Sequence, residues 1–351
     1  MDDASSCAFP FVTVIMPVRQ EAAFIKRSLG MVLVQDYPAE RYEVIVADGR
    51  STDGTREIVV DLQRDHPNLR LADNPGLIVP TGLNAALRQA CGEIIVRVDG
   101  HTEVAPDYVR QCVAALLRSG ADNVGGRMHA VGEGAFGEAV ALATSMPFGV
   151  GNARFHYSDR EEWVDTVYMG AWPRDVFTRI GLFDEELVRD QDDEFNYRLL
   201  QQGGRIWLSP SIRSRYTTRS TARGLWRQYF QYGYWKVRVM QKHPQQMRLR
   251  QFVPAVFALA CALGLVLAPF SPWGRALLAL ALGSYMAGNV VASMATARRH
   301  GWRHVGRLLL IFPILHVAYG VGFVVGLAKF RKRWSDPAKV PMLAESPRQC
   351  S

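Results

Sequence analysis

The sequence predicts an α/β protein with a mostly parallel sheet flanked by helices, followed by C-terminal membrane-spanning helices. Three observations predict it. Short β-branched runs alternate with helical patterns from Phe11 to about Gly126. Three long apolar segments follow residue 250. The charge distribution divides the chain near residue 194.

The alternation sets the first domain. Val12–Met16, Glu43–Ala47 and Glu93–Asp99 each read as a buried strand ending in a loop that carries carboxylates or glycine. Between and after them, Glu21–Val34, Thr55–Asp65, Gly82–Ala90 and Asp107–Arg118 read as helices. A βαβαβ alternation implies a parallel sheet with helices on both faces, and such sheets bind ligands beyond the carboxyl ends of their strands. The polar residues at those ends are Arg19 and Glu21, Asp48, and Asp99 with His101.

Charge and hydropathy set the rest. Residues 1–194 hold 18 Lys/Arg against 31 Asp/Glu, whereas residues 195–335 hold 21 Lys/Arg and no acid. The basic half also contains Phe252–Phe270, Ala276–Ala297 and Leu308–Ala328, each close to the ~20 apolar residues that span a bilayer. Anionic membrane lipids are therefore the expected partner of the basic half, and nucleic acid is not. Arg223–Lys242 interleaves aromatic and basic residues without an acid and is expected to lie in the headgroup layer. Asp2 and Asp3 stand where an export signal would carry Lys or Arg, which predicts a cytoplasmic front domain at a bacterial-type plasma membrane. With that domain inside, the positive-inside rule suits Arg298, Arg299, Arg303 and Arg307 but conflicts with the basic run from Lys329, unless the Pro313 segment is re-entrant or interfacial. The expected organisation is a tail over 1–10, an α/β domain over 11–222, an interfacial segment over 223–250, two to three spans over 251–330 and a polar tail over 331–351.

Composition excludes other classes. A hydrophobic share of 48% with 21% charged residues is not that of a disordered chain. Five cysteines without a CxxC pair exclude a disulfide scaffold and a zinc knuckle, and are expected to be reduced thiols. Neither a Walker A loop nor a GxGxxG fingerprint is present.

Three clusters carry chemistry. Asp48–Thr55 turns from a strand into a helix, where a carboxylate can receive a nucleobase or ribose and free amides suit phosphate. Asp99-Gly100-His101 delivers an acid and an imidazole to a sheet edge. Mg²⁺ or Mn²⁺ needs only one or two protein ligands when a diphosphate supplies the others. Asp190-Gln191-Asp192-Asp193-Glu194 opens a helix with more carboxylates than capping requires, which suits one of them to general-base work.

Taken in order, these residues resemble family 2 glycosyltransferases, inverting enzymes of the GT-A fold that use nucleotide-diphosphate sugars. Pro17-Val18-Arg19-Gln20-Glu21 is similar to the opening P-x-x-N-E. Asp48 and Asp53 take the outer acids of D-D-G-S-x-D, and Asp99 and His101 take the ends of D-x-D. Gln191-Asp192, followed by Arg198, stands at the family's E-D. Arg97–His101 and the stretch Gln228–Lys236 resemble succinoglycan-type exopolysaccharide glycosyltransferases. There, Gln231 and Trp235 match Q-x-x-R-W except that Tyr234 replaces the arginine, which disfavours processive polymerisation. Gly181–Glu185 matches the segment that shapes the acceptor side.

The resemblance implies a donor site at Pro17, Arg19, Glu21, Asp48, Asp53 and Asp99, and a Mg²⁺ or Mn²⁺ ion on Asp99 and His101. It assigns Asp192 as base, and Gln191, Arg198, Gln231 and Trp235 to the acceptor side. The implied reaction adds one sugar, from a UDP-sugar by preference, to a lipid-linked saccharide. A transferase that charges a polyprenyl phosphate itself is the alternative within the class, and a membrane-anchored nucleotide-sugar binding protein the alternative outside it.

Overall fold

The computed structural model describes residues 9–334, 336 and 338–343. They pack as two compact units. One holds the residues up to His129, Tyr157–Tyr216 and those from Ala338; the other holds Ala130–His156 and Thr217–Pro337.

The first unit begins with β1 (Val12–Val18), α1 (Ile25–Leu33), β2 (Tyr42–Asp48), α2 (Thr55–Gln63), β3 (Leu69–Asp73), α3 (Val79–Leu87) and β4 (Ile94–Arg97). All seven residues of β1 and of β2 are buried, as continuous apolar runs covered on both faces must be. The four strands run parallel, in the order β3-β2-β1-β4. Their register aligns Val18 with Asp48 and Asp48 with Asp73, so the acids of β2 and β3 leave the same edge. Arg97 pairs with Ile15, three residues before Val18, and so sits inside that edge.

Next come β5 (Thr102–Val104), α4 (Tyr108–Ser119) and β6 (Asn123–Val131). Helices α5 (Gly134–Thr144) and α6 (Pro147–Val150) belong to the second unit. The first unit resumes with β7 (Glu162–Val164), β8 (Tyr168–Pro173), α7 (Asp175–Ile180), α8 (Gln191–Gln201) and β9 (Ile206–Thr217). These later strands complete the order β4-β8-β6-β9-β5, with β7 on β9. The pairs β4–β8, β6–β8, β5–β9 and β7–β9 are antiparallel, so the sheet is mixed. The strand signal is weak here because β8, YMGAWP, carries glycine and proline in place of a β-branched run.

The second unit adds α9 (Ala222–Lys242), α10 (Leu249–Leu267), α11 (Pro272–His300) and α12 (Val305–Lys329). Two stretches, Pro272–His300 and Trp302–Lys329, are long and apolar enough to cross a membrane. The helix α10 is a shorter apolar helix among the described residues. Its apolar part, Gln251–Leu267, ends at a turn where Ser271 accepts from the Trp273 N–H at 3.2 Å and caps α11.

Small residues let α9 and α12 approach closely. A Cβ on Gly322 would stand 2.1 Å from the Phe230 carbonyl oxygen, one on Gly326 2.7 Å from that of Tyr234, and one on Gly233 2.0 Å from that of Tyr319. The approach encloses two cations of α9 within the second unit. Lys236 and Arg238 are buried, with Arg238 donating to the Gln241 side chain and, at 2.8 Å, to the Arg333 carbonyl. Pro313 lacks the N–H that would bond the Leu309 carbonyl. Asn289 of α11 donates to that carbonyl instead, at 3.0 Å.

The reduced-thiol expectation also needs correction. Cys112 and Cys261 are free, but Cys91 is disulfide-bonded. Spacing alone cannot reveal a bridge between distant cysteines. Cys7 and Cys350 lie outside the described residues.

The α9–α12 crossing yields a test. Gly322→Val places its side chain against a backbone oxygen that cannot move aside, so the yield of monodisperse protein in detergent should collapse. Gly283→Ala, with nothing within 4 Å of the new atom, should leave the elution profile unchanged.

Candidate active site

The site assembles at the carboxyl edge of β1, β2, β3 and β4, where the chain turns sharply. The non-glycine residues with positive φ among those described are Gln20 after β1, Arg50 after β2, Leu77 after β3, Met169 in β8 and Asp190 before α8. Such conformations cost energy and recur where a site is held in shape.

The loops after β1 and β2 are sewn together. Gln20 donates its backbone N–H to Ser51 Oγ at 3.0 Å, and its side-chain carbonyl accepts from the Thr52 N–H at 2.8 Å. The Glu21 N–H reaches Thr55 Oγ1 at 2.8 Å. Asp53 completes the seam, with one oxygen accepting from the Thr55 hydroxyl at 2.6 Å and the other from the Ala22 N–H at 3.0 Å. The Thr55 hydroxyl, aided by backbone N–H groups, holds this carboxyl below its ordinary range against the opposing effect of burial. Arg19 donates to the Leu77 carbonyl at 3.2 Å, and its stem lies over Gly49.

Asp48 is fully buried. Its carboxylate accepts from the Ser51 N–H and pairs with Arg56 at 3.4 Å, and Arg56 also holds Asp73 at 2.8 Å. These residues, with Arg50 and Pro75, line a cleft of about 490 Å³. Neither Arg56 nor Asp73 stands out in the sequence. The available signal is the position of Asp73 as the last residue of a third parallel strand.

At β4 the arrangement turns on a residue that sequence reasoning treats only as part of a motif. Arg97 has 4% of its side chain exposed. Its Nε donates to Asp99 Oδ1 at 2.8 Å, and its Nη1 lies 3.3 Å from Asp192 Oδ2 on α8. Burial opposes the guanidinium charge, but Asp99 and Asp192 outweigh it and raise the Arg97 pKa. The Asp99 N–H points at the Met169 sulfur, 3.4 Å away. His101 turns toward Glu21, its Nδ1 3.0 Å from the carboxylate.

The acidic run on α8 divides by face. Asp192 is partly exposed and faces Arg97. Glu194 is buried and ion-paired with Arg198 at 2.6 Å. Arg198 also donates to the carbonyls of Ile180 and, at 2.7 Å, of Leu182, which fixes the Gly181–Glu185 segment from inside. Gln191 is buried, and its Oε1 has no hydrogen-bond partner. Pro17, Arg19, Glu21, Asp48, Asp53, Asp99, His101, Gln191, Asp192 and Arg198 all fall in the first unit, Arg198 with its head turned inward. Gln231 and Trp235 lie in the second unit, on α9, with the Trp235 indole N–H donating to Gln231 Oε1 at 3.1 Å.

Residues 13–180 match the family model described as Glycosyl transferase family 2. That segment, just under half of the chain, resembles glycosyltransferase family 2. It is 28% identical over 329 residues to the succinoglycan biosynthesis protein ExoA of Rhizobium meliloti (strain 1021), covering 91% of this chain and 96% of that one. It is 27% identical over 231 residues to a dolichyl N-acetyl-α-D-glucosaminyl phosphate 3-β-D-2,3-diacetamido-2,3-dideoxy-β-D-glucuronosyltransferase of Methanococcus voltae, covering 64% of this chain and 72% of that one. In fold it resembles the mannosyltransferase PcManGT from Pyrobaculum calidifontis, solved with GDP-Man and Mn²⁺. The TM-score is 0.57 at 24% identity, over 90% of this chain and 87% of that one. The first unit therefore carries the GT-A architecture, and the enzyme is a glycosyltransferase.

In this glycosyltransferase the Asp53 seam should be visible in pH-dependent stability. A carboxyl with a lowered pKa adds stability above its ordinary value, and that stability is lost as pH falls through the folded-state value. Asp53→Ala should lower the thermal midpoint at pH 7, and the gap from wild type should close as pH drops below about 4. Melting curves over this pH range check it.

Proposed function

We propose that this enzyme transfers one sugar, with inversion, from a nucleotide-diphosphate sugar to a lipid-linked saccharide in exopolysaccharide or cell-surface glycan synthesis, using a divalent metal ion. The observation that carries the reading is the placement of three carboxylates, Asp48, Asp99 and Asp192, around one strand edge, with Asp99 and Asp192 on either side of Arg97. The cleft at Asp48, Arg56 and Asp73 suits a nucleobase and ribose, because it offers paired donors and acceptors beside the Pro17–Glu21 loop. A UDP-sugar is the preferred donor.

Among the described residues no cluster of three or more His, Cys, Asp or Glu groups could hold an ion unaided. Asp99 commits one oxygen to Arg97 and has no partner for the other among the described residues. One such oxygen fits Mg²⁺ or Mn²⁺ if the diphosphate completes the shell. Asp99 would hold the ion, with His101 a poorer ligand while Glu21 engages its ring. When bound, the ion would offset the charge of the departing diphosphate.

Within the chain, Asp192 accepts the proton of the acceptor hydroxyl as that oxygen attacks the anomeric carbon from the face opposite the leaving group. Asp53 shapes the loop that receives the donor, and Gln191, with its unsatisfied buried oxygen, lies beside the base on the acceptor side. Gln231 and Trp235 belong to the acceptor side through their family positions, and Arg198 supports that side from within. The lipid-linked acceptor is favoured by the Methanococcus relative, whose name specifies a dolichyl-linked sugar phosphate, and by the two apolar helices. Those helices would anchor the enzyme in a bacterial-type plasma membrane, with the first unit in the cytoplasm and basic residues near anionic lipids.

The test offers a panel of UDP- and GDP-sugars to membranes carrying the enzyme, with lipid extract, with and without EDTA. Incorporation into lipid that EDTA abolishes is expected, and Asp99→Ala should abolish it too; full activity in EDTA would falsify the metal assignment. Asp192→Asn should lower turnover about 10²–10⁴-fold. Asp193→Asn should cost far less, because its side chain points ~100° away around the helix. Near-normal turnover in both variants would favour the alternative acceptor, a polyprenyl phosphate, which needs little deprotonation.

A further inference from the structure

Arg97 raises a question that its place in a motif does not answer. A buried arginine at the end of a parallel strand needs a counter-charge, and one carboxylate would supply it. This one has two, drawn from distant parts of the chain: Asp99, just beyond β4, and Asp192, on the first turn of α8. The two contacts differ in kind. Nε makes an aligned hydrogen bond to Asp99 Oδ1 at 2.8 Å, whereas Nη1 lies 3.3 Å from Asp192 Oδ2 without an aligned hydrogen bond. Asp192 is thus held by charge rather than locked by a hydrogen bond, and its lone pairs stay available to a hydroxyl donor.

We propose that Arg97 is a positioning residue that fixes Asp192 relative to Asp99, so that the base and the donor-side carboxylate keep one spacing. The role rests on the donor and base assignments made above. Asp192 sits on a partly exposed first turn with acidic neighbours, where side-chain rotamers are otherwise open and like charges push it away. Arg97 has no such freedom. Met169, the next-to-first residue of β8, is held at φ 61° and turns its sulfur to the Asp99 N–H, which seats the Asp99 backbone beside the guanidinium. A planar guanidinium can face two carboxylates at once, which a lysine ammonium on a flexible stem does poorly.

The experiment is a double-mutant cycle on the full-length enzyme in membranes, using lipid extract and whichever of UDP-glucose, UDP-galactose, UDP-N-acetylglucosamine or GDP-mannose it turns over. Misplacing a reacting group by ~1 Å can cost ~10²-fold, so Arg97→Lys should lower kcat by about that factor. The donor KM should move by less than about threefold, since uniform binding is untouched. In the Asp192→Asn background the same substitution should have almost no further effect, because the residue it positions is no longer a base. Thermal midpoints of all variants separate folding from positioning. If Arg97→Lys does not fold, Arg97→Gln, which keeps a donor toward Asp99, replaces it in the cycle. Two outcomes overturn the role of Arg97 alone: kcat within about threefold of wild type, or a loss that multiplies undiminished onto Asp192→Asn, as a purely structural defect would. Full turnover in Asp192→Asn by itself overturns the base assignment, and the Arg97 role with it.

Discussion

A buried arginine has to be neutralised where it stands, and in this glycosyltransferase that requirement organises the carboxyl edge of the parallel strands. Arg97 closes β4 inside the sheet, so its counter-charges must come from groups that also reach the edge. Asp99 is two residues further along the same chain. Asp192 arrives on α8, whose own position is fixed by the buried Glu194–Arg198 pair and the carbonyls that Arg198 clamps. Losing either member of the Glu194–Arg198 pair leaves a buried charge without its partner, which is costly. The end of β4 and the start of α8 are thereby joined electrostatically.

Parallel strands make such a convergence possible. Because β1, β2, β3 and β4 run the same way in register, whatever follows each of them meets its neighbours at one edge. Asp48 and Asp73 are level across two strands and share Arg56. The loops between are then held in unfavourable backbone conformations at Gln20, Arg50 and Leu77; the Asp53–Thr55–Ala22 seam ties the loops after β1 and β2 together, and Arg19 donates to the Leu77 carbonyl. The second unit shows another solution to a backbone constraint. The carbonyl released by Pro313 finds Asn289, and glycine brings α9 and α12 close enough to touch backbone to backbone.

The parallel strands β1, β2 and β4 are legible in the sequence because they are buried throughout and read as apolar runs, whereas β3, LRLAD, is only half-buried and does not. Asp48 and Asp99 are legible for the same reason, each being an acid that ends such a run. The antiparallel strands are not: β7 is three residues long, and β8 carries glycine and proline. Side-chain direction is the other gap. Nothing local distinguishes Arg198, turned inward to Glu194, from an arginine facing substrate, although the i,i+4 spacing permits the pair. His101 faces Glu21, 80 residues earlier, and Arg97 faces Asp192 across the sheet edge. These pairings exist only after the strands assemble.

The central claim is that the edge made by Asp48, Asp99 and Asp192 is a single donor-and-transfer site. The most direct measurement is an experimental structure of the full chain with a nucleoside diphosphate and Mn²⁺. The account predicts the base and ribose in the cleft of Asp48, Arg56 and Asp73, and the ion bridging Asp99 and the diphosphate, with Arg97 still between Asp99 and Asp192. A nucleotide bound away from Asp48, or an ion held by the α8 carboxylates instead of Asp99, would contradict it.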